Sequence, residues 1–307
     1  MTVKCNIVMY HYVRNVNETD YPNIKGLLIK NFVGQINYLI KNYKIIRLEE
    51  YIEFLKGNRS IPENSCVLSF DDGFKDHYVN VFPILKEKKI SACFFPQTSQ
   101  LSNWKVPPVH KVHFLLAKIG VNKFAAEFNQ NLKKYFPRLF NEFFVSDKMH
   151  KNMWNQLDDP LTCNLKQSVG EIGLKEKIVI LDVIFGKYFK DETKFCKELY
   201  MNWDEMREML KEGMSFGGHS INHPSLNKLS EEEQLYEMKE SKVVMERNLK
   251  TKIELFAYPY SLYNNTTLSI LKKIGFTCGL LAEGGINKGI VDPFRIGRTD
   301  TIELPFK

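Results

Sequence analysis

The sequence predicts an α/β protein built on a parallel sheet, and three observations carry that prediction. Short apolar runs rich in strand-forming residues alternate with stretches of helical spacing through residues 1–96, and the same rhythm returns from about 202. Strand, helix, strand in regular succession implies parallel strands joined by crossover helices. The 307 residues, 44% of them hydrophobic, suffice for a large core, as one barrel or as two ordinary domains. No internal repeat or low-complexity stretch interrupts the pattern.

Cys5 to Met9 reads as the first strand and runs into Tyr10-His11-Tyr12. A helix near Asn31 to Asn42 places Phe32, Ile36, Leu39 and Ile40 on one face, and a short strand follows at Ile45 to Leu48. Glu49 to Lys56 reads as helix. Ser65 to Phe70 is an apolar strand that stops at Asp71-Asp72-Gly73. Lys75 to Lys88 has Tyr78, Val81, Phe82 and Leu85 at helical spacing, with a kink expected at Pro83. Ser91 to Phe95 is a further buried strand.

Between about Trp104 and Tyr200 helical spacing dominates and no strand is expected. Residues 97–201 therefore read as a helical insertion in a fold made by 1–96 and 202–307. His110 and His113 could share a helix face there, but no third ligand is near, and packing or surface roles are expected. The alternation resumes with a helix from Trp203 to Glu212, a short strand at Met214 to Gly218 and a loop from His219 to Pro224. Ser230-Glu231-Glu232-Glu233 is a helix start, with a capping hydroxyl, a Glu three residues on and acids in the first turn. That helix should reach about Asn248. Glu254 to Ala257 reads as a strand, Asn265 as the cap of a helix to Lys273, and Phe276 to Leu281 as the last strand.

The formal net charge is +7, and 16 Lys/Arg against 11 Asp/Glu between Thr98 and Trp203 put most of the excess in the middle. With no block of like charges, this reads as a Lys-rich solvated surface, and no nucleic-acid partner is expected. No oligomeric state is specified. Cys5, Cys66, Cys93 and Cys278 lie within apolar strand-like runs and no CxxC occurs, so buried free thiols in a reducing compartment are expected. The N-terminus lacks the apolar core and cleavage site of a signal peptide, and no 18-residue apolar run offers a membrane span. A cytoplasmic location is the expectation.

Candidate chemistry gathers at strand ends, where α/β enzymes keep it. Neighbouring side chains on a strand point to opposite sides, so Asp71 and Asp72 can serve one site only if the strand has begun to turn, which Gly73 permits. His219 and His223 stand four apart, as in a zinc-binding HExxH helix. Ser220 replaces the Glu, however, two glycines precede His219, and Pro224 disfavours helical dihedrals at His223. A loop folding both imidazoles onto one ion is the alternative, with a third ligand from elsewhere, because catalytic zinc wants three protein ligands and an open position. Asp71 and Asp72 are the best candidates, since one carboxylate can bind metal while its neighbour accepts a proton. Alone, His219 and His223 read more plainly as unrelated loop residues; the doubled Asp reverses that balance.

The order Ser69-Phe70-Asp71-Asp72-Gly73-Phe74, then His219-Ser220-Ile221-Asn222-His223, then Phe256-Ala257-Tyr258-Pro259-Tyr260 resembles the polysaccharide deacetylases of carbohydrate esterase family four. The resemblance covers 1–96 and about 202–300. It implies a distorted (β/α) barrel of about seven parallel strands, a divalent transition metal, usually zinc, and removal of acetyl groups from N-acetylated sugars. Carried onto this chain, it implies Asp72, His219 and His223 as metal ligands and Asp71 as the base that activates the metal-bound water. Tyr260 would offer its backbone N–H to the oxyanion, with Pro259 fixing the turn.

Two departures stand out. Ala257 takes the place of the motif arginine that steadies the catalytic Asp in many relatives. Arg298, with Arg295 behind it, is the candidate substitute, against the plainer expectation of a surface arginine. The C-terminal Leu-x-His that supplies the general acid is also missing, since no histidine follows His223. The chain here resembles a permuted subgroup in which a Tyr-His pair ending the first strand supplies it, and Tyr10-His11 fits. His11 would then protonate the leaving amine. The implied substrate is an N-acetylhexosamine-containing saccharide; an O-acetyl esterase on a sugar and a carbohydrate-binding barrel without turnover are the competing readings.

Overall fold

Eight strands form one sheet in the computed structural model, which describes residues 2–148 and 158–305. They are β1 (Lys4–Tyr10), β2 (Lys44–Ile45), β3 (Asn64–Asp71), β4 (Cys93–Phe95), β5 (Ser215–Phe216), β6 (Leu280–Gly284), β7 (Asn287–Lys288) and β8 (Ile296–Asp300). The order is β5-β4-β3-β1-β8-β6 with every neighbouring pair parallel, while β2 adds parallel to β3 and β7 antiparallel to β1.

The two ends of that order meet through residues 255–258. Gly218 N–H donates to the Leu255 carbonyl at 2.8 Å and Ala257 N–H to Gly218 at 3.0 Å. On the other side, Leu280 N–H donates to Phe256 at 2.9 Å and Tyr258 N–H to Leu280 at 3.0 Å. Parallel bridges Gly218–Phe256 and Ala257–Leu280 thus close a (β/α) barrel of seven staves, one of them made by bridges alone. The expected strand at Glu254 to Ala257 is this short stave.

Alternation along the staves sorts side chains into two apolar layers. Cys5, Ile7, Val67, Cys93, Phe95, Leu255, Ala257, Cys278, Leu280 and Ile296 pack with Tyr51 and Leu55 of the helix Leu48–Leu55. Val8, Tyr10, Leu68, Phe70, Phe94, Phe216 and Phe256 pack with Phe32, Ile36, Met206, Met238 and Leu271 of the surrounding helices. Covered on both faces, β1 and β3 are buried except at their first residues, which is why both read as continuous apolar runs.

Several expected elements shift. Residues 75–88 do not form one kinked helix: a π-helical turn, His77–Val81, passes into an α-helix, Phe82–Glu87, with Pro83 in its first turn where a missing N–H is harmless. Asn264, not Asn265, caps the helix Asn265–Lys273, its side chain accepting from Thr267 N–H at 3.0 Å. Ser230 caps Glu231–Leu249 with the reciprocal Glu233 contact that the sequence suggested. The last apolar strand starts later than expected, at Leu280, and β8 comes from a stretch with no strand signal.

The chain divides into two units, one of Met1–Asn15, Lys25–Trp104 and Cys196–Lys307, the other of Val16–Ile24 and Lys105–Phe195. Among the described residues the second unit is helical, with helices Pro108–Tyr135, Pro160–Glu171 and Leu174–Tyr188 packing Leu115, Phe128, Leu165, Ile180 and Ile184 inward. Residues 149–157 of the expected insertion lie outside the described residues. His110 is buried in the long helix and its ring lies 5.8 Å from that of His113. All six cysteines are buried thiols. Among the described residues no helix is long and apolar enough to cross a membrane.

Candidate active site

Strand β3 carries Ser65, Val67, Ser69 and Asp71 on one side, and Asp72 would point away if the strand continued. It does not continue: Asp72 itself takes φ 76° and Gly73 φ 67°. The turn begins one residue earlier than the glycine, and it separates the two carboxylates into different settings.

Asp71 faces Arg298, which β8 delivers from across the sheet. Arg298 Nη1 and Nη2 donate to Asp71 Oδ1 and Oδ2 at 2.8 and 2.7 Å, a bidentate pair with side-chain exposures of 0% and 3%. Arg298 also donates to the Leu281 carbonyl at 2.6 Å and to Ser69 Oγ at 3.3 Å. It is thus no surface residue, unlike Arg295, which pairs with Asp292 in solvent. Burial pushes the Asp71 carboxyl up, but the Arg298 charge, the neighbouring His219 and the Arg298 hydrogen bonds outweigh it and hold the carboxyl below its ordinary range.

Asp72 faces the loop after β5. Asp72, His219 and His223 offer one ligand atom each within 4.8 Å of one another, the only such metal-capable group among the described residues. His219 Nδ1 bonds to the Ala257 carbonyl at 2.8 Å, which makes Nδ1 the donor and leaves Nε2, 3.7 Å from Asp72 Oδ1, with its lone pair. Burial lowers the His219 pKa despite the two nearby carboxylates, favouring the neutral ring a metal needs. The loop is not a helix: Ser220 and His223 both have positive φ, 61° and 55°, and Ser220 Oγ accepts from His223 N–H at 3.0 Å.

His11 Nε2 lies 4.0 Å from Asp71 Oδ2, on a side chain that is 42% exposed. The His11 carbonyl accepts from His77 Nε2 at 2.8 Å, and burial drops the His77 pKa to about 4, so that ring is neutral. Asp76 takes the Val13 N–H at 3.1 Å and Arg14 Nε at 2.6 Å, pinning the chain that follows His11. Pro259 and Tyr260 form a tight turn with Tyr260 at φ 57°, and the Tyr260 ring stands edge-on to His223 at 4.4 Å between centroids. Of the nominated residues, Asp71, Arg298 and His11 come together on one side, and Asp72, His219, His223 and Tyr260 on the other. Ala257 contributes its carbonyl rather than a side chain.

Sequence reasoning missed four buried groups around these. Glu237 accepts from the Ile221 and Asn222 N–H groups at 2.9 Å each, and Gln97 and Gln100 donate to Asp72. His77 is the fourth. An acid and amides on otherwise apolar faces were the available signal, and it is a weak one.

A barrel with carboxylates and imidazoles at the C-terminal ends of its staves carries its candidate chemistry where (β/α) barrels keep their active sites. The polysaccharide deacetylase family matches residues 58–135 and 180–279, more than half of the chain, and the chain belongs to that family. The Bacillus subtilis protein YxkH, provisionally assigned by name to the same family, is 31% identical over 283 residues. That match takes in 92% of this chain and 66% of YxkH, so the chain spans just under two thirds of that relative. The poly-beta-1,6-N-acetyl-D-glucosamine N-deacetylase of Escherichia coli is 32% identical over 78 residues, 25% of this chain and 11% of that enzyme. Among solved structures, the Streptococcus pyogenes deacetylase PplD in complex with acetate superposes with a TM-score of 0.61 at 19% identity, over 98% of this chain and 93% of its own. IcaB from Ammonifex degensii gives 0.58 at 17% identity, over 97% and 91%. At these identities the likeness to solved structures is one of fold.

Proposed function

We propose that the protein hydrolyses N-acetyl groups from an N-acetylhexosamine-containing saccharide, with zinc held by Asp72, His219 and His223. The observation that carries this reading is the division of labour between two adjacent carboxylates. Asp71 is locked to Arg298 and held ionised, while Asp72 sits with two imidazoles in a donor set of one oxygen and two nitrogens. That set fits a borderline-soft divalent ion, and the His219 tautomer already presents Nε2. When bound, the ion supplies Lewis-acid polarisation of the acetyl carbonyl and a nucleophile at neutral pH.

The chain's own groups do the rest. Asp71 accepts the proton of the attacking water, and its low pKa keeps it deprotonated through the neutral range. His11, 4.0 Å from Asp71, gives a proton to the departing amine nitrogen as the C–N bond breaks. The Tyr260 N–H donates to the oxygen that gains charge, a contribution of roughly 3–4 kcal/mol in comparable sites. Arg298 substitutes for the arginine absent at Ala257. Of the insertion expected at 97–201, residues 105–195 belong to the second unit and are read as shaping substrate range, since none of these side chains lies within them.

The test is acetate release from a panel of N- and O-acetylated saccharides, with and without added zinc. Zinc-dependent release from the N-acetylated members is the expected result. Release confined to O-acetylated sugars would assign an esterase, and no release from zinc-loaded protein would assign a carbohydrate-binding barrel without turnover.

A further inference from the structure

The four residues after Pro96, Gln97-Thr98-Ser99-Gln100, have no part in the chemistry above, yet they touch both halves of the proposed metal site. Gln97 Nε2 donates to Asp72 Oδ1 at 2.5 Å, and Gln100 Nε2 to the Asp72 carbonyl at 2.8 Å. Ser99 N–H donates to the Ile221 carbonyl at 3.1 Å and Thr98 N–H to that of Ser220 at 3.4 Å. The Asp72 oxygen that Gln97 holds is the same oxygen that lies 3.7 Å from His219 Nε2. All four residues are at most 3% exposed.

Gln97 is costly where it stands. Its Oε1 is buried without a hydrogen-bond partner among the described residues, as are Gln100 Oε1 and Ser99 Oγ. A buried amide with an unsatisfied acceptor lowers stability. The charge-assisted donor to Asp72 is what the position gains. The approach is also close: a Cβ on Gly73 would lie 2.6 Å from Pro96 Cβ and 3.0 Å from Gln100 Nε2. The backbone braced on both sides is strained, with φ of 76° at Asp72, 61° at Ser220 and 55° at His223.

We infer that residues 97–100 are a spacer fixing the separation between the Asp72 carboxylate and the 219–223 turn, with Gln97 the positioning residue that orients the carboxylate toward the ion. This rests on Asp72, His219 and His223 being metal ligands. Hydrogen bonds to ligating carboxylates typically contribute about 10–100-fold in metal affinity.

The experiment titrates zinc into the full chain against a chromophoric chelator for wild type, Gln97→Met and Gln97→Asn, and melts each metal-free protein alongside. The first variant keeps the volume and removes the donor; the second keeps the amide and draws it back by one methylene. Both variants should fold without metal yet bind zinc about 10–100-fold more weakly, whereas a purely structural residue would lower the melting temperature of the metal-free protein and leave the zinc affinity of the folded protein unchanged. Wild-type affinity in both variants overturns the inference. Failure of both to fold without metal also overturns it, because the segment would then belong to the core. A wild-type protein that takes up no zinc removes the ligand assignment itself, an outcome distinct from equal affinities.

Discussion

Replacing Arg298 with Met isolates the pair on which the Asp71 assignment depends. The change removes two charge-assisted hydrogen bonds and leaves a carboxyl whose side chain is only 3% exposed facing an apolar stem. Breaking a buried pair from one side costs about 3–5 kcal/mol, because the remaining charge keeps its desolvation penalty. The pH dependence has a definite sign. In the wild type the folded carboxyl is held low, so its contribution is full above the unfolded pKa of about 3.9 and is lost as pH falls through the folded value. In the variant, burial without the cation raises the folded carboxyl above its ordinary range, so the penalty is greatest at neutral pH and fades as pH falls through the raised value. Urea denaturation of metal-free protein, at neutral pH and again in mild acid, should therefore show a gap that narrows on acidification. Arg298 also holds Ser69 and Leu281, so the double-mutant cycle with Asp71→Asn extracts the pair alone. A neutral-pH loss below about 1 kcal/mol, or a strictly additive cycle, would refute the reasoning.

Three further outcomes are expected. Metal analysis should find about one zinc per chain in wild type and Asp71→Asn but none in Asp72→Ala or His223→Ala, and Asp71→Asn should release no acetate. His11→Ala should lower the rate of acetate release by about 10²–10⁴-fold while the zinc content is unchanged; an unaltered rate would place the acid elsewhere. Gly73→Ala should lower Tm and cost more than the ~1–2 kcal/mol of a left-handed residue alone, because its Cβ would meet Pro96 Cβ at 2.6 Å.

The sequence conveyed the staves whose environment is uniform. Cys5 to Met9, Ser65 to Phe70 and Cys93 to Phe95 are covered on both faces, so burial alone dictates their composition, and apolar runs of strand length can be read directly. The stretch Ile296-Gly297-Arg298-Thr299-Asp300 carried no such signal, because its inward residue is an arginine paired across the sheet with Asp71 and the Asn287 side chain bonds Gly297. Its strand character is tertiary. Residues 255–258 form a stave through four backbone hydrogen bonds to two neighbours, too few positions for a period to emerge. Asp71, Asp72, His219 and His223 were legible as chemical types in suggestive places. What sets the two carboxylates in different surroundings was not legible in the residues themselves, because it is a backbone angle.

That angle belongs to a pattern. Of the eight described non-glycine residues with positive φ, five, Asp72, Ser220, His223, Tyr260 and Ser261, belong to the candidate site or the turns that make it. Such residues cost of order 1–3 kcal/mol each and persist only where surrounding contacts over-determine them. Here the contacts are visible. Gln97, Gln100 and the Phe95 carbonyl hold Asp72; Glu237, Ser241 and the Thr98 and Ser99 amides hold the 219–223 turn. Every one of these partners is distant in sequence from the residue it constrains, and several are plain amides or hydroxyls with no chemistry of their own. Local propensity therefore points away from the backbone that the site uses, and the side chains that enforce it look unremarkable until the fold brings them together. The strained turns let a strand that would send Asp71 and Asp72 to opposite faces set one against Arg298 and the other beside two imidazoles.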